Sequence, residues 1–191
     1  MIDRQIIAPL LRYVERIEDI PPTEAAELAR IATPIEIPRL EYFARAGFAS
    51  ERIGFVCSGW LRYFLTAEDG REFTRYFCTE DHFVSPTEGP EGSIYSVQAL
   101  TDVSMISVTR DAWQLLLRRH TIWPLVTIAV QQYALRLAEE RERALVMNDA
   151  RTRYLDLIRQ LPEIEEHVRQ YYIANYLGIT PEALSRIRSR R

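Results

Sequence analysis

Lysine is absent from the sequence, since all 24 basic residues are arginine. Cysteine and histidine are scarce, with two and three residues. The cysteines, Cys57 and Cys78, cannot build a disulfide framework, and such a low content is typical of a reducing compartment. His82, His120 and His167 are scattered, with none at ligand spacing from another. We therefore expect no metal site and no other cofactor.

Long hydrophobic runs are also missing. No apolar stretch reaches the roughly 18 residues that a membrane-spanning helix needs. The first 20 residues, MIDRQIIAPLLRYVERIEDI, carry charges throughout and lack a small-residue cleavage site, unlike a signal peptide. With 47% hydrophobic and 27% charged residues, the 191-residue chain has the composition of one large or two small globular domains. We expect a cytoplasmic protein that does not associate with membranes.

Sequence patterns of common enzymes are not found either. The chain has no Gly-x-Ser-x-Gly, Walker or HExxH pattern. A cupin-like metalloenzyme would need two or three histidines and a carboxylate inside a β-roll, and only His82 falls in the β-rich region. The sequence therefore predicts a protein that is not an enzyme.

Charge is unevenly distributed along the chain. The net charge at pH 7 is −3. Residues 168–191 hold five arginines and a single acid, Glu182, which gives +4 for this segment and −7 for the rest. A basic tail on an acidic body indicates a polyanionic partner for the tail.

The middle of the chain has the sequence pattern of a β-domain. After an expected helix at residues 3–17, short runs of β-branched and aromatic residues follow one another from about residue 35 to residue 108. Asp69-Gly70 lies between two of these runs and predicts a hairpin, because glycine tolerates the positive φ of a tight turn. Successive short strands without intervening helices favour an antiparallel roll, barrel or sandwich.

A long helix is predicted from about residue 121 to residue 147, after a shorter helix in RDAWQLLLRRH. Its apolar residues recur every three or four positions and form one stripe, which includes Ile122, Val126, Ala129, Tyr133 and Leu137. Such a stripe is typical of a dimerisation helix. It fits equally well a helix that packs on the roll of its own chain, so both interpretations stay open.

The end of the sequence has the layout of a helix-turn-helix. Gly178 is placed to end a first helix in a left-handed conformation, Thr180 to cap a second helix and Pro181 to occupy its first position. In the second helix Leu184 and Ile187 form an apolar side, opposite a polar face.

The polar face of this second helix is suited to DNA. Arg186 can bridge the O6 and N7 atoms of guanine, and Glu182 can accept a hydrogen bond from the N4 of cytosine, both in the major groove. The predicted DNA-binding residues are Thr180, Glu182, Ser185, Arg186, Arg188, Ser189, Arg190 and Arg191. A solvated amphipathic helix is the alternative; the agreement of turn, caps, polar face and basic excess favours DNA.

Four segments carry a family resemblance, and they are IANYLGITPEALSRIR, GFASERIGFVCSGWLRYF, EDGREFTRYFCTEDHF and VQALTDVSMISVTRDAWQLLL. In this order along nearly the whole chain they resemble the Crp/Fnr superfamily of bacterial transcription regulators. The spacing of Glu182, Ser185 and Arg186 matches the base-reading triplet of the Fnr branch, and Gly47 and Gly59 stand twelve residues apart as in the family's roll. The sequence ends at Arg191 without the wing that follows the helix-turn-helix in many relatives, as in a shorter branch of the family.

The resemblance implies an α+β fold in three parts. An antiparallel, jelly-roll-like β-roll of the cyclic-nucleotide-binding type, with an N-terminal helix, would serve as a sensor domain in residues 1–120. Residues 121–147 would form the dimerisation helix, and residues 148–191 the helix-turn-helix DNA-binding domain.

The function implied by the resemblance is that of a dimeric, sequence-specific transcriptional regulator with a pseudo-palindromic operator. The implied partners are double-stranded DNA, a second copy of the chain and RNA polymerase. The Fnr branch further implies half-sites with a TTGA-like core. The alternative is an effector-sensing or protein-interaction module with a degenerate roll and weak or no DNA binding, against which the retained reading triplet argues.

The sequence departs from the family at the positions that hold cyclic AMP in members that bind it. In those members a Gly-Glu pair holds the ribose and an Arg-Ser pair holds the cyclic phosphate, whereas Val84, Ser85, Ser93 and Ile94 stand at these positions here. Without the arginine, and with two glutamates in the same loop, an anion would be repelled. We expect no binding of cyclic AMP in the family's manner, and the effector is unknown. The iron–sulfur branch needs four cysteines, and this chain has two.

Overall fold

The computed structural model of the chain describes residues 6–189. Two short helices come first in this range, ten strands follow, and six helices complete it. The helices are α1 (Ala8–Glu15), α2 (Pro22–Ile31), α3 (Arg110–Leu117), α4 (Ile122–Met147), α5 (Ala150–Gln160), α6 (Ile164–His167), α7 (Gln170–Leu177) and α8 (Pro181–Arg188). The strands are β1 (Thr33–Ile37), β2 (Tyr42–Ala44), β3 (Arg52–Ser58), β4 (Leu61–Thr66), β5 (Glu72–Cys78), β6 (Phe83–Val84), β7 (Glu88–Gly89), β8 (Gly92–Ser93), β9 (Ser96–Ala99) and β10 (Val103–Thr109).

The strands form a β-roll of two antiparallel four-stranded sheets. One sheet has the order β1-β10-β3-β6, the other β2-β9-β4-β5, and β7 pairs with β8 in a small hairpin. Side chains from both sheets meet in a shared apolar interior, which contains Ile37, Ala44, Val56, Leu61, Tyr63, Cys78, Val84, Val97, Ala99, Val103 and Met105. The α+β class and the antiparallel roll expected from the sequence are confirmed.

The hairpin between β4 and β5 has the turn that Asp69-Gly70 predicts. Gly70 has a φ of 83°, and the N–H of Ala67 donates to the carbonyl of Arg71 at 2.8 Å. The carboxylate of Asp69 accepts from the N–H of Arg71, and this bond lowers the pKa of Asp69 below its usual value. Local turn chemistry therefore decides the register of the two strands.

The N-terminal helices and the start of α4 share a second core against the roll. Trp123 is fully buried in it, and its indole N–H donates to the carboxylate of Glu24 at 2.9 Å. The other oxygen of Glu24 accepts from Arg119 at 3.0 Å. A buried carboxylate is tolerated here because both of its oxygens are paired.

The start of α4 bears on the two interpretations of its apolar stripe. Ile122 and Val126 are buried in the second core of their own chain, at 1% and 0% exposure. This part of the stripe therefore packs on its own chain, and the dimerisation role of the stripe stays a prediction. A 3.6-residue period identifies an apolar face of a helix but does not identify what covers it.

The C-terminal helices α5 to α8 pack on the outer face of the sheet that contains β4 and β5. Neighbouring residues of a strand point to opposite faces, so Cys78 lies inside the roll while Phe77 points outward. Phe77, Trp60 and Leu100 of the roll join one apolar cluster with residues of the C-terminal helices, namely Tyr154, Leu157, Ile164, Val168, Ile173, Ala174, Leu177 and Leu184.

Candidate nucleic-acid interface

Two helices joined by a tight turn, α7 and α8, form the candidate interface. Gly178 ends α7 with a φ of 69°, in the left-handed region that glycine adopts without strain. The N–H of Ile179 then donates back to the carbonyl of Ala174 at 3.0 Å. The hydroxyl of Thr180 caps α8 by accepting from the N–H of Ala183 at 3.2 Å. The predicted roles of Gly178 and Thr180 in this turn agree with the structure.

The inner faces of α7 and α8 hold the pair together. Ile173, Leu177 and Leu184 are buried at 1% exposure or less. The side-chain amide of Gln170 donates to the carbonyl of Pro181 at 3.0 Å and ties the start of α7 to the start of α8. Gln170 was missed by sequence reasoning, because nothing local marks a side chain that bonds to backbone eleven residues away.

The outer face of α8 is open to solvent and polar. Glu182, Ser185, Arg186 and Ser189 are all exposed on it. Glu182 accepts a hydrogen bond from its own backbone N–H, and this bond, helped by the hydroxyl of Thr180 and the charge of Arg186, lowers the pKa of the carboxyl. The face therefore presents an anionic acceptor and a cationic donor one helical turn apart.

Arg188, one of the predicted DNA-binding residues, forms an ion pair within the chain. Its Nε lies 2.9 Å from Oε1 of Glu165, the same oxygen that accepts from the hydroxyl of Tyr154 at 2.7 Å. Arg188 thus joins α8 to the segment before it as an ion pair. Two further predicted DNA-binding residues, Arg190 and Arg191, lie outside the described residues.

The four positions aligned with the cyclic-AMP site differ in their burial. Val84 is buried in the roll, whereas Ser85 and Ile94 are exposed. Ser93 is buried, and its hydroxyl donates to the carbonyl of Tyr95 at 2.7 Å. None of these four side chains carries a positive charge that could hold a cyclic phosphate.

Aromatic rings occupy the interior of the roll beside these positions. Tyr63 stacks on Tyr76 with ring centroids 4.2 Å apart, and Tyr95 meets Tyr63 edge to face at 6.3 Å. Burial raises the pKa of both Tyr63 and Tyr76, so both phenols are neutral across the physiological range. The stacked pair fills space between the sheets with the chain's own side chains.

A separate apolar row lies on the outer side of α4. Leu125, Ile128 and Leu135 are 46%, 49% and 60% exposed. Their intervals of three and seven residues are those of a coiled-coil seam. Two members of the predicted stripe, Ala129 and Leu137, are half-buried. The ring centroid of a third, Tyr133, lies 6.2 Å from that of His82.

The part of the chain that the structure describes has neither a membrane-spanning helix nor a cluster of metal ligands. Within residues 6–189 no helix is both long and apolar enough to cross a membrane. The same residues contain no cluster of three or more histidine, cysteine, aspartate or glutamate side chains that could hold a metal ion.

Comparison with known proteins shows a domain match and a shared fold. Residues 34–120 match the cyclic nucleotide-binding domain. The chain resembles the structure of FixK2 from Bradyrhizobium japonicum with a TM-score of 0.74 and 23% identity, covering 84% of each chain. A Crp/Fnr-family transcriptional regulator from Eubacterium rectale also gives 0.74, at 14% identity over 92% of this chain and 85% of the other. A CooA mutant from Carboxydothermus hydrogenoformans gives 0.69, at 18% identity over 94% and 83%.

The chain matches no curated protein sequence. At these identities the solved structures show a shared fold, and the domain match places the roll independently of them. The fold that the resemblance of the four sequence segments implies is thereby confirmed.

Proposed function

We propose, from the premise that this chain has the cyclic nucleotide-binding domain and the fold of the Crp/Fnr superfamily, that it is a sequence-specific DNA-binding transcriptional regulator. The observation that carries the proposal is the outer face of α8. Its exposed Glu182, Ser185 and Arg186 stand on a capped helix whose opposite side is anchored in a core. This leaves donor and acceptor groups free for base edges in a major groove.

A homodimer is the second part of the proposal. The apolar row Leu125, Ile128 and Leu135 lies on the outer side of α4 and is open to a second α4 helix. Two-fold symmetry would place two α8 helices about 34 Å apart, one turn of DNA. The operator is then a pseudo-palindrome, and the resemblance to the Fnr branch favours a TTGA-like core in each half-site.

Control by cyclic AMP does not form part of the proposed function. Val84, Ser85, Ser93 and Ile94 offer no cationic group, and stacked tyrosines fill the neighbouring space between the sheets. None of these four side chains would supply the counter-charge that a cyclic phosphate needs when it loses its water.

The test begins with selection of bound duplexes from a random pool by the purified protein. Affinities of the wild type and of Arg186→Ala are then measured for the selected duplex and for a scrambled one. We expect Arg186→Ala to cost roughly 1–3 kcal/mol per half-site on the selected duplex and little on the scrambled one. Arg159→Ala is the matched control, because Arg159 is an exposed arginine of α5 that pairs with Asp156.

Two results would refute the proposal. If the selection enriches no sequence, the chain is better described as an effector-sensing or protein-interaction module. If Arg186→Ala lowers both affinities equally, Arg186 supplies only charge, and α8 is not a reading helix.

A further inference from the structure

The outer edge of β5 is covered by a side chain of α7. Within the described sheets β5 is a terminal strand, so one row of its backbone groups has no neighbouring strand. The amide of Asn175 bonds to this row twice: Nδ2 donates to the carbonyl of Glu72, and Oδ1 accepts from the N–H of Thr74. One side chain thereby makes the pair of bonds that a strand would make, and it fixes α7 to the roll.

Arg141 of α4 reaches the same point. Its Nη2 donates to the carbonyl of Thr74 at 3.0 Å and to the carbonyl of Tyr176 at 2.8 Å. The guanidinium also lies 3.9 Å from the ring centroid of Tyr176. A single group of α4 is therefore bonded both to the roll and to α7.

The clamp formed by Asn175 and Arg141 sits beside a buried cation on the roll. Arg62 lies over the rings of Phe64 and Tyr172, at 3.9 Å and 4.1 Å from their centroids. It is held by two hydrogen bonds to Gln98 and one to Glu72. The C-terminal helices thus rest on a preorganised surface of the roll.

The docking of α7 on the roll also fixes the orientation of α8. The clamp holds α7, and α7 shares a core with α8 through Leu184, so α8 is fixed relative to both β5 and α4. Docking leaves Glu182, Ser185 and Arg186 exposed. The docked position therefore orients the polar face of α8 without covering that face.

We infer that Asn175 and Arg141 are positioning residues that set the separation of the two α8 helices in the dimer, and so the half-site spacing that the protein accepts. The inference rests on the proposed function. Without the clamp, the direct connection from α4 to α5 is two residues with extended backbone, Asn148 and Asp149. Within residues 6–189 the clamp makes the hydrogen bonds between β5 and α7, and the apolar cluster around Phe77, which has no directional bonds, is the contact that remains without it. Rotation at the α4–α5 connection would then change the separation of the two α8 helices.

The variants Asn175→Ala and Arg141→Met remove the two halves of the clamp. Gln160→Ala is the control for the first, because Gln160 also has an amide side chain and is exposed at the end of α5. Arg143→Met is the control for the second, since Arg143 is exposed and two residues further along α4.

The first measurement is hydrogen–deuterium exchange of peptides that cover β5 and α7. Each clamp variant should speed exchange there by about tenfold or more, because hydrogen bonds that hold the β5 edge to its cover are lost. Exchange in the N-terminal core should not change. This measurement needs no DNA, so it tests the clamp even if the proposed function fails.

The second measurement is the affinity for operators whose half-sites are moved apart by one or two base pairs. The wild type and both controls should prefer one spacing strongly, and the clamp variants should lose roughly tenfold or more of that preference while still preferring the selected half-site to a scrambled one. A variant that only misfolds α7 and α8 would lose half-site preference as well. Unchanged exchange in the clamp variants, or unchanged spacing preference after faster exchange, would overturn the inference.

Discussion

Two arginines of one hairpin allow a direct test of how burial changes the importance of an ion pair. Arg62 lies 2.7 Å from Glu72, and Arg71 lies 2.6 Å from Asp69. Their geometry is alike, but the side chain of Arg62 is 2% exposed and that of Arg71 is 73% exposed. The burial of each pair, and not the distance between its charged atoms, should decide its contribution to the free energy of unfolding.

Replacing Arg62 with alanine should cost about 3 kcal/mol of the free energy of unfolding, because removing one partner of a buried pair leaves the others uncompensated. Gln98 loses two hydrogen bonds and Tyr172 loses the cation over its ring. Glu72 keeps some water at 28% exposure, which places the cost at the lower end for a buried pair. Arg71→Ala should leave the free energy of unfolding unchanged, because both members of the Arg71–Asp69 pair are solvated.

Urea unfolding followed by far-ultraviolet circular dichroism gives both free energies under one set of conditions. Arg62→Met serves as a second variant, since it keeps an apolar stem between Phe64 and Tyr172 and separates lost packing from lost charge. A loss below about 1 kcal/mol for Arg62→Ala, or equal losses for the two alanine variants, would refute the reasoning.

Three further predictions concern the dimer, the effector and the thiols. Ile128→Glu should yield monomers in sedimentation at micromolar concentration, since it charges the apolar row of α4; a wild-type monomer would count against the proposed dimer. Cyclic AMP at physiological concentration should change neither the melting temperature nor the affinity for the selected duplex, and a calorimetric binding signal would contradict this. Burial raises the pKa of Cys78 strongly and that of the half-buried Cys57 as well. At pH 8 an aromatic disulfide reagent should therefore leave Cys78 unmodified until the protein unfolds. Two rapidly reacting thiols in the native protein would show that the roll is open.

Local signals in the sequence predicted the fold and the turn before α8 well. Gly70 and Gly178 adopt the positive φ that their turns require, and Thr180 caps the helix it was expected to cap. Each of these features depends on residues within a few positions of one another, where glycine and hydroxyl side chains have few alternatives. Short-range chemistry of this kind is readable without knowledge of the rest of the chain.

Contacts between distant segments could not be read in the same way. The helix α4 has one apolar side that contains Ile122 and Val126 and another that contains Leu125 and Ile128, and periodicity alone does not say which faces the protein's own core. The bonds of Asn175 to β5 span about 100 residues of sequence. An asparagine in a helix does not indicate such a contact, because its amide can form the same hydrogen bonds with water.

The arginine-rich tail shows why position matters more than net charge. Of the arginines counted in residues 168–191, Arg188 is paired with Glu165, whereas Arg169 and Arg186 are exposed. A purely electrostatic tail would attract every duplex alike, whatever its sequence, and would weaken steeply with salt. In the proposed function Arg186 differs, because it stands on the exposed side of a capped helix whose other side is anchored on the roll, where a guanidinium could bond two acceptors of one base. The difference in affinity between a matched and a scrambled duplex therefore measures recognition, and the affinity for either one alone does not.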